Sequence, residues 1–165
     1  MDLARLLRHL ATGSARARRC FPPAVRAEVE RAIGEAERRH AGEICFAIES
    51  ALPLPELWAG VTPRERAMHV FSLLRVWDTA ANNGVLIYVL LADGAIEIVA
   101  DRAIAARIDA GEWQRLCCDI ETAFGRGEYA AGAVAAVRAV GEHLARHFPA
   151  QRGEADELPN QPVLL

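Results

Sequence analysis

Nowhere in its 165 residues does the chain carry an apolar run approaching the roughly 20 that cross a bilayer, so no membrane span is expected. Its first leucine-rich stretch, Leu3-Ala4-Arg5-Leu6-Leu7-Arg8-His9-Leu10, is interrupted by Arg5 and Arg8 and lacks the apolar centre of a secretory signal. A basic excess is absent as well. The formal net charge is -3 and the pI near 6.0, which excludes a nucleic-acid scaffold and leaves no nucleic-acid partner to expect. The four cysteines, Cys20, Cys45, Cys117 and Cys118, have no paired spacing for zinc. Cys117 and Cys118 are neighbours on a helix, where successive side chains diverge by about 100°, so all four should be free thiols. No Gly-x-Ser-x-Gly, phosphate-binding loop or dinucleotide fingerprint occurs, which removes support for acyl transfer, nucleotide hydrolysis and Rossmann chemistry. What is left is the composition of an ordinary cytoplasmic globular protein, 52% hydrophobic and 25% charged, long enough for one domain with a real core.

What the chain does contain is a regular alternation of elements. Leu3, Leu6, Leu7 and Leu10 fit one face of a short helix, and Arg16, Arg18 and Arg19 read as a solvated loop. Phe21-Pro22-Pro23 breaks that segment and opens a helix from about Ala24 to His40, with Val25, Val29, Ile33 and Ala36 as its buried stripe. Glu43 to Glu49 alternates as a strand. Thr62-Pro63-Arg64-Glu65 offers a capping hydroxyl, a proline at the first helical position and a Glu three residues after the cap, so a helix should run to about Val76. Val85 to Leu91 is apolar on both sides, the mark of a strand covered on both faces. Asp93-Gly94 signals a two-residue hairpin, and Ala95 to Ala100 returns beside it. Asp101 caps a short helix through Ile108, and Gly111 separates it from the next. Trp113, Leu116, Cys117, Ile120 and Phe124 recur at helical spacing, and Tyr129 to Phe148 is the longest helix. The segment from Gln151 reads as a polar tail whose closing Val163-Leu164-Leu165 is apolar enough to dock on the body.

This order makes an α/β fold, with helices covering both faces of a small mixed central sheet. A strand, a helix and a strand in one sheet normally make a parallel pair. Pairing 43–49 with 85–91 brings Glu43 and the loop Asp78–Gly84 to one end of the sheet. A two-residue hairpin sets Asp101 opposite Leu86, at that same end, where the next helix points its free N–H groups. One rim therefore gathers Glu43, Asp78, Thr79, Asn82, Asn83, Asp101 and Arg102. Its carboxylate and amide oxygens suit calcium or magnesium, with Glu43, Asp78 and Asp101 as metal ligands. Asn82, Asn83 and Arg102 suit a small ligand or anion. The purely structural alternative is that Asn-Asn-Gly is a turn and Asp101 only an N-cap. His143 and His147 lie four apart on one helix, flanking its inward stripe, and read as a boundary pair without a chemical role.

At these residues the chain resembles a known family. Asn-Asn-Gly-Val-Leu-Ile-Tyr-Val from Asn82, then a hairpin, then Ile96-Glu97-Ile98-Val99-Ala100-Asp101-Arg102-Ala103-Ile104, resembles the core of the TPM domain. Phe124-Gly125-Arg126-Gly127-Glu128-Tyr129-Ala130-Ala131-Gly132 resembles the family's later segment, where a glycine, an acidic residue and an aromatic open the last helix. The family takes in thylakoid proteins of photosystem II repair and many bacterial proteins; this chain looks like a short, anchorless branch. The resemblance covers roughly Pro22 to Phe148, and divides the chain into a helical extension (1–21), a TPM-like domain (22–149) and a tail (150–165). It implies a three-layer α/β/α sandwich and, for plant members, a proposed acid phosphatase activity with bound calcium. Three functional readings follow. The first is a cation- or small-ligand-binding accessory or repair protein, and the second a metal-dependent phosphatase. The third is an interaction module that takes a protein partner through its basic N-terminal segment or its tail.

Overall fold

A computed structural model describes residues 2–150 and 157–165. The central sheet contains β1 (Glu43–Glu49), β2 (Gly84–Leu90), β3 (Ala95–Ala100) and the short β4 (Val163–Leu164), in the order β3-β2-β1-β4. β1 and β2 are parallel, β2 and β3 antiparallel, and β4 runs parallel to β1. The helices are α1 (Leu3–Ala11), α2 (Ala15–Cys20), α3 (Pro23–Glu37), α4 (Leu54–Trp58), α5 (Pro63–Leu73), α6 (Arg102–Ala105), α7 (Ala110–Gly125) and α8 (Tyr129–His147). The expected mixed α/β sandwich is the observed one.

Alternation along the strands divides the core. Ile44, Phe46, Ile48, Val85, Ile87, Val89, Ile96 and Ile98 pack with side chains of α3, α7 and α8. Cys45, Ala47, Leu86, Tyr88, Leu90 and Val99 pack on the other face with Leu57, Ala67 and Val70 of α4 and α5. Every residue of β1 and β2 is buried, because both faces of these strands are covered. α5 opens as expected: Thr62 accepts from the Glu65 N–H at 3.2 Å, and the Glu65 carboxylate accepts from the Thr62 N–H at 2.8 Å. α8 lies so close to α3 that a methyl on Gly141 would meet Ala36 Cβ at 2.8 Å.

Three expectations change. The hairpin uses residues 91–94 rather than two residues, so Asp101 donates its N–H to the Gly84 carbonyl at 2.9 Å instead of lying opposite Leu86. Arg16, Arg18 and Arg19 lie on a helix, α2, not in a loop. Ala17 and the following Phe21 enter the core, where the Phe21 ring meets Phe46, Phe124 and Tyr129 at centroid distances of 6.1, 5.8 and 5.7 Å. Gly111 falls inside the first turn of α7, and Asp109 caps that helix by accepting from the Gly111 N–H. The end of the tail docks as expected, forming β4, with the Leu165 N–H donating to the Ile48 carbonyl at 2.9 Å. Residues 151–156 of the expected tail lie outside the described residues.

α1 is the least expected element. Its Arg5 and His9 face the body and donate to the Asp93 carboxylate at 2.7 and 3.0 Å, while Leu3, Leu7 and Leu10 face solvent. Burial pushes the Asp93 carboxyl up, but the hydrogen bonds from Arg5 and His9 and their charges outweigh it and hold the group below its ordinary value of 3.8. Asp93, which reads as a turn residue, is thus the anchor of the N-terminal helix.

Candidate functional site

Backbone hydrogen bonds stitch the rim together from three segments. Glu43 donates its N–H to the Asn83 carbonyl at 3.1 Å, and Ala103 donates to the Asn82 carbonyl at 3.2 Å. Together with the Asp101–Gly84 bond, they bring the start of β1, the start of β2 and the end of β3 to one edge. The local sequence explains the shape of the loop. Asn82 takes a left-handed conformation, φ 52°, which asparagine tolerates better than most residues. Gly84 follows because the Val76 carbonyl oxygen lies where a side chain would begin, 2.0 Å from the point that a Cβ would occupy.

The side chains then sort into exposed and buried. Asp78 is exposed, and Asn82 and Arg102 sit at the mouth, with Arg102 Nη2 3.5 Å from Asn82 Oδ1. Glu43, Thr79, Asn83 and Asp101 are buried. Thr79 Oγ1 accepts from the Asn83 N–H at 3.1 Å, and Asn83 Nδ2 donates to the Ala41 carbonyl. Glu43 Oε2 accepts from the Leu158 N–H at 3.3 Å, so the C-terminal segment reaches this rim. Glu157 joins it, its carboxylate accepting from the Ala80 N–H at 3.0 Å. Asp101 Oδ1 accepts from the Arg102 N–H at 2.6 Å. Two buried oxygens, Asn83 Oδ1 and Asp101 Oδ2, have no hydrogen-bond partner among the described residues.

These partners bear on each kind of ligand. The N–H groups opening α6 are not free for an anion: Arg102 donates to Asp101 Oδ1, Ala103 to Asn82, and Ile104 to the Asp101 carbonyl at 3.1 Å. For a hard cation, the two unpartnered oxygens fit in chemical type and in the acceptor capacity they retain. The carboxylates are less favourably placed, since no group of three or more His, Cys, Asp or Glu residues among the described residues is arranged to hold a metal. One reason is alternation. Glu43 shares the face of Cys45 and Ala47, and Asp101, two residues after Val99, shares it too, whereas Asn83 is two residues before Val85 and its amide donates to the Ala41 carbonyl.

His40, beside Asn83's partner Ala41, is buried, and its Nδ1 accepts from the Gly42 N–H at 3.2 Å. Burial lowers its pKa to about 4, so the ring is neutral. His143 Nδ1 lies 3.0 Å from the Glu112 carboxylate, and the backbone carbonyl of His147 accepts from Arg107 at 3.0 Å.

At the opposite end of β1 lies a polar cluster that spacing did not single out. Arg66 donates to both Glu49 oxygens at 2.9 and 2.8 Å and to Glu56 at 2.7 Å, and Tyr88 donates to Glu49 at 2.6 Å. Burial, then the neighbouring Glu49 carboxylate, pushes the Tyr88 hydroxyl far up, so it stays protonated and donates. The signal was available: Glu49 continues the buried face of Cys45 and Ala47, a place for a charge only if a partner waits there. Both Glu49 oxygens, the Tyr88 hydroxyl and the Arg66 guanidinium find partners within the cluster, and Glu56 Oε2 alone of its carboxylate oxygens has none among the described residues, so the cluster reads as a packing device.

Comparison with known proteins finds a family and solved structures that resemble the chain. The model of the TPM domain family matches residues 17–143. The NMR structure of the BA42 protein from the psychrophilic bacterium Bizionia argentinensis is similar, with a TM-score of 0.74 and 30% identity over 86% of this chain and 93% of that one. No curated protein matches the chain.

Proposed function

The chain belongs to the TPM domain family, and from that premise we propose that its rim binds a hard cation, calcium or magnesium, in an accessory rather than a catalytic role. The observation that carries this reading is the pair of buried, unpartnered oxygens, Asn83 Oδ1 and Asp101 Oδ2. A buried polar atom without a partner costs about 1–3 kcal/mol, and a bound cation would recover that loss. Asp101 and Asn83 would hold the ion at the edge of the sheet, where its two faces meet, with Glu43 and Asp78 as further carboxylates of the rim. Asn82 and Arg102 at the mouth would meet a small ligand carried by the ion. The ion would supply positive charge where α6 has no N–H to spare. The sequence places no evident nucleophile beside a base here, which favours binding over turnover.

Calorimetric titration with calcium and magnesium tests the proposal, with a phosphatase panel run on the metal-loaded protein. Saturable binding by the wild type, lost in Asn83→Ala/Asp101→Ala, is the expected result. Absence of binding by the wild type above millimolar background would refute the site. Metal-dependent phosphate release abolished by the same double substitution would replace the accessory role with the phosphatase reading.

A further inference from the structure

α1 is an amphipathic helix mounted the wrong way round. Leu3, Leu7 and Leu10 follow one another at i, i+4 and i+7, which puts them on one stripe. That stripe is the exposed one, with the three side chains 64%, 58% and 58% accessible. The inward side keeps one leucine, Leu6, against the core and is otherwise polar: Arg5 and His9 are held on Asp93, Arg5 also donates to the Val61 carbonyl at 2.9 Å, and His9 Nδ1 accepts from the Leu52 N–H at 3.0 Å. Those last two bonds tie α1 to both ends of the segment that carries α4. α4 adds Leu54 and Trp58, 54% and 60% accessible. Five large apolar side chains at one end of a molecule make a patch that a monomeric soluble protein rarely leaves bare.

Charge at this end decides between occupants. The first twenty residues hold five arginines and one acid, Asp2, in a chain whose net charge is -3. Arg8, Arg18 and Arg19 are exposed. The acids of this end have partners: Asp2 accepts from the Ala4 N–H, Asp93 is paired with Arg5 and His9, Glu56 with Arg66 and Glu128 with Arg126, while Glu65 accepts from the Thr62 N–H and Glu121 from the Ile96 N–H. α1 and α2 both sit at the end of the sheet away from the rim, so leucines, a tryptophan and exposed arginines occupy one end of the molecule. A second copy of this chain would set these arginines against each other. An anionic lipid surface would take the leucines into its acyl boundary, the tryptophan at its headgroup level and the arginines against its phosphates. We propose that this end, formed by α1, α4 and α2, is a peripheral docking surface for anionic membranes. It is independent of the rim and leaves the rim facing away from the bilayer.

Co-sedimentation of the full chain with phosphatidylcholine vesicles, with and without about a third phosphatidylglycerol, tests this. The wild type should pellet with the anionic vesicles alone and be released by salt. Leu7→Ser/Leu10→Ser should weaken binding by about a hundredfold, at roughly tenfold for each buried leucine. Both leucines are exposed, so the variant should keep the wild-type circular dichroism. Arg18→Gln/Arg19→Gln should weaken binding by roughly tenfold or more while leaving the leucines in place. The proposal is overturned if the wild type ignores anionic vesicles, or if the leucine variant binds them as well as the wild type. A dimer in light scattering that the leucine variant dissociates, with no vesicle binding, would assign the patch to a second copy instead.

Discussion

A methyl group at position 84 would lie 2.0 Å from the Val76 carbonyl oxygen, a backbone atom that cannot swing aside. Gly84→Ala should therefore cost at least about 3 kcal/mol in chemical denaturation, although alanine fits the strand conformation itself. At His40 the effect is electrostatic. The unfolded ring takes up its proton near 6.5 and the buried ring only near 4, so between those values the unfolded state binds the extra proton. Stability should fall as pH is lowered from 6.5 toward 4. His40→Asn, which keeps an acceptor for the Gly42 N–H, should flatten that part of the profile in thermal melts across the same range. The cysteines differ in the same way. All four are free, and burial raises the thiols of Cys45 and Cys117 to about 12. Exposed Cys118 should react first with a thiol reagent in the native protein, and all four should react once it is unfolded.

Strands and helices are tied by pairs whose loss acts on whole elements. Arg66 joins α5 to the end of β1 through Glu49, and Tyr88 of β2 donates to the same carboxylate. Arg66→Met would leave the Glu49 charge buried beside a single hydroxyl donor. The expected cost is about 3–5 kcal/mol, read from urea denaturation, with Glu49→Gln also destabilising because Arg66 then loses its main partner. β4 is shorter but has a comparable role, since it covers the edge of β1. Removing residues 161–165 would expose the backbone groups of an apolar strand. The truncated chain should melt lower and aggregate at concentrations where the full chain does not, as light scattering during a thermal ramp would show.

For the whole molecule, the sequence was most legible where one residue type answers one physical need. The span of β1, the capping box of α5, the doubly buried β2 and the Asp101 cap all follow from periodicity and local hydrogen-bonding chemistry. So does the gathering of Glu43, Asn83 and Asp101 at one rim, because a parallel pair and a hairpin admit few arrangements. What tertiary structure alone decided concerns competition between distant groups. The hairpin's register depends on a loop of residues 91–94 whose Asp93 is held by Arg5 and His9, from the far N-terminal end of the chain. The same contact turns α1 over: a buried carboxylate must be paired, and that need outweighs the gain from burying Leu3, Leu7 and Leu10. Which oxygens of the rim keep a partner was equally beyond the sequence. Periodicity reports which face a residue takes, whereas the partner of a buried polar atom depends on what the rest of the chain brings within about 3 Å of it.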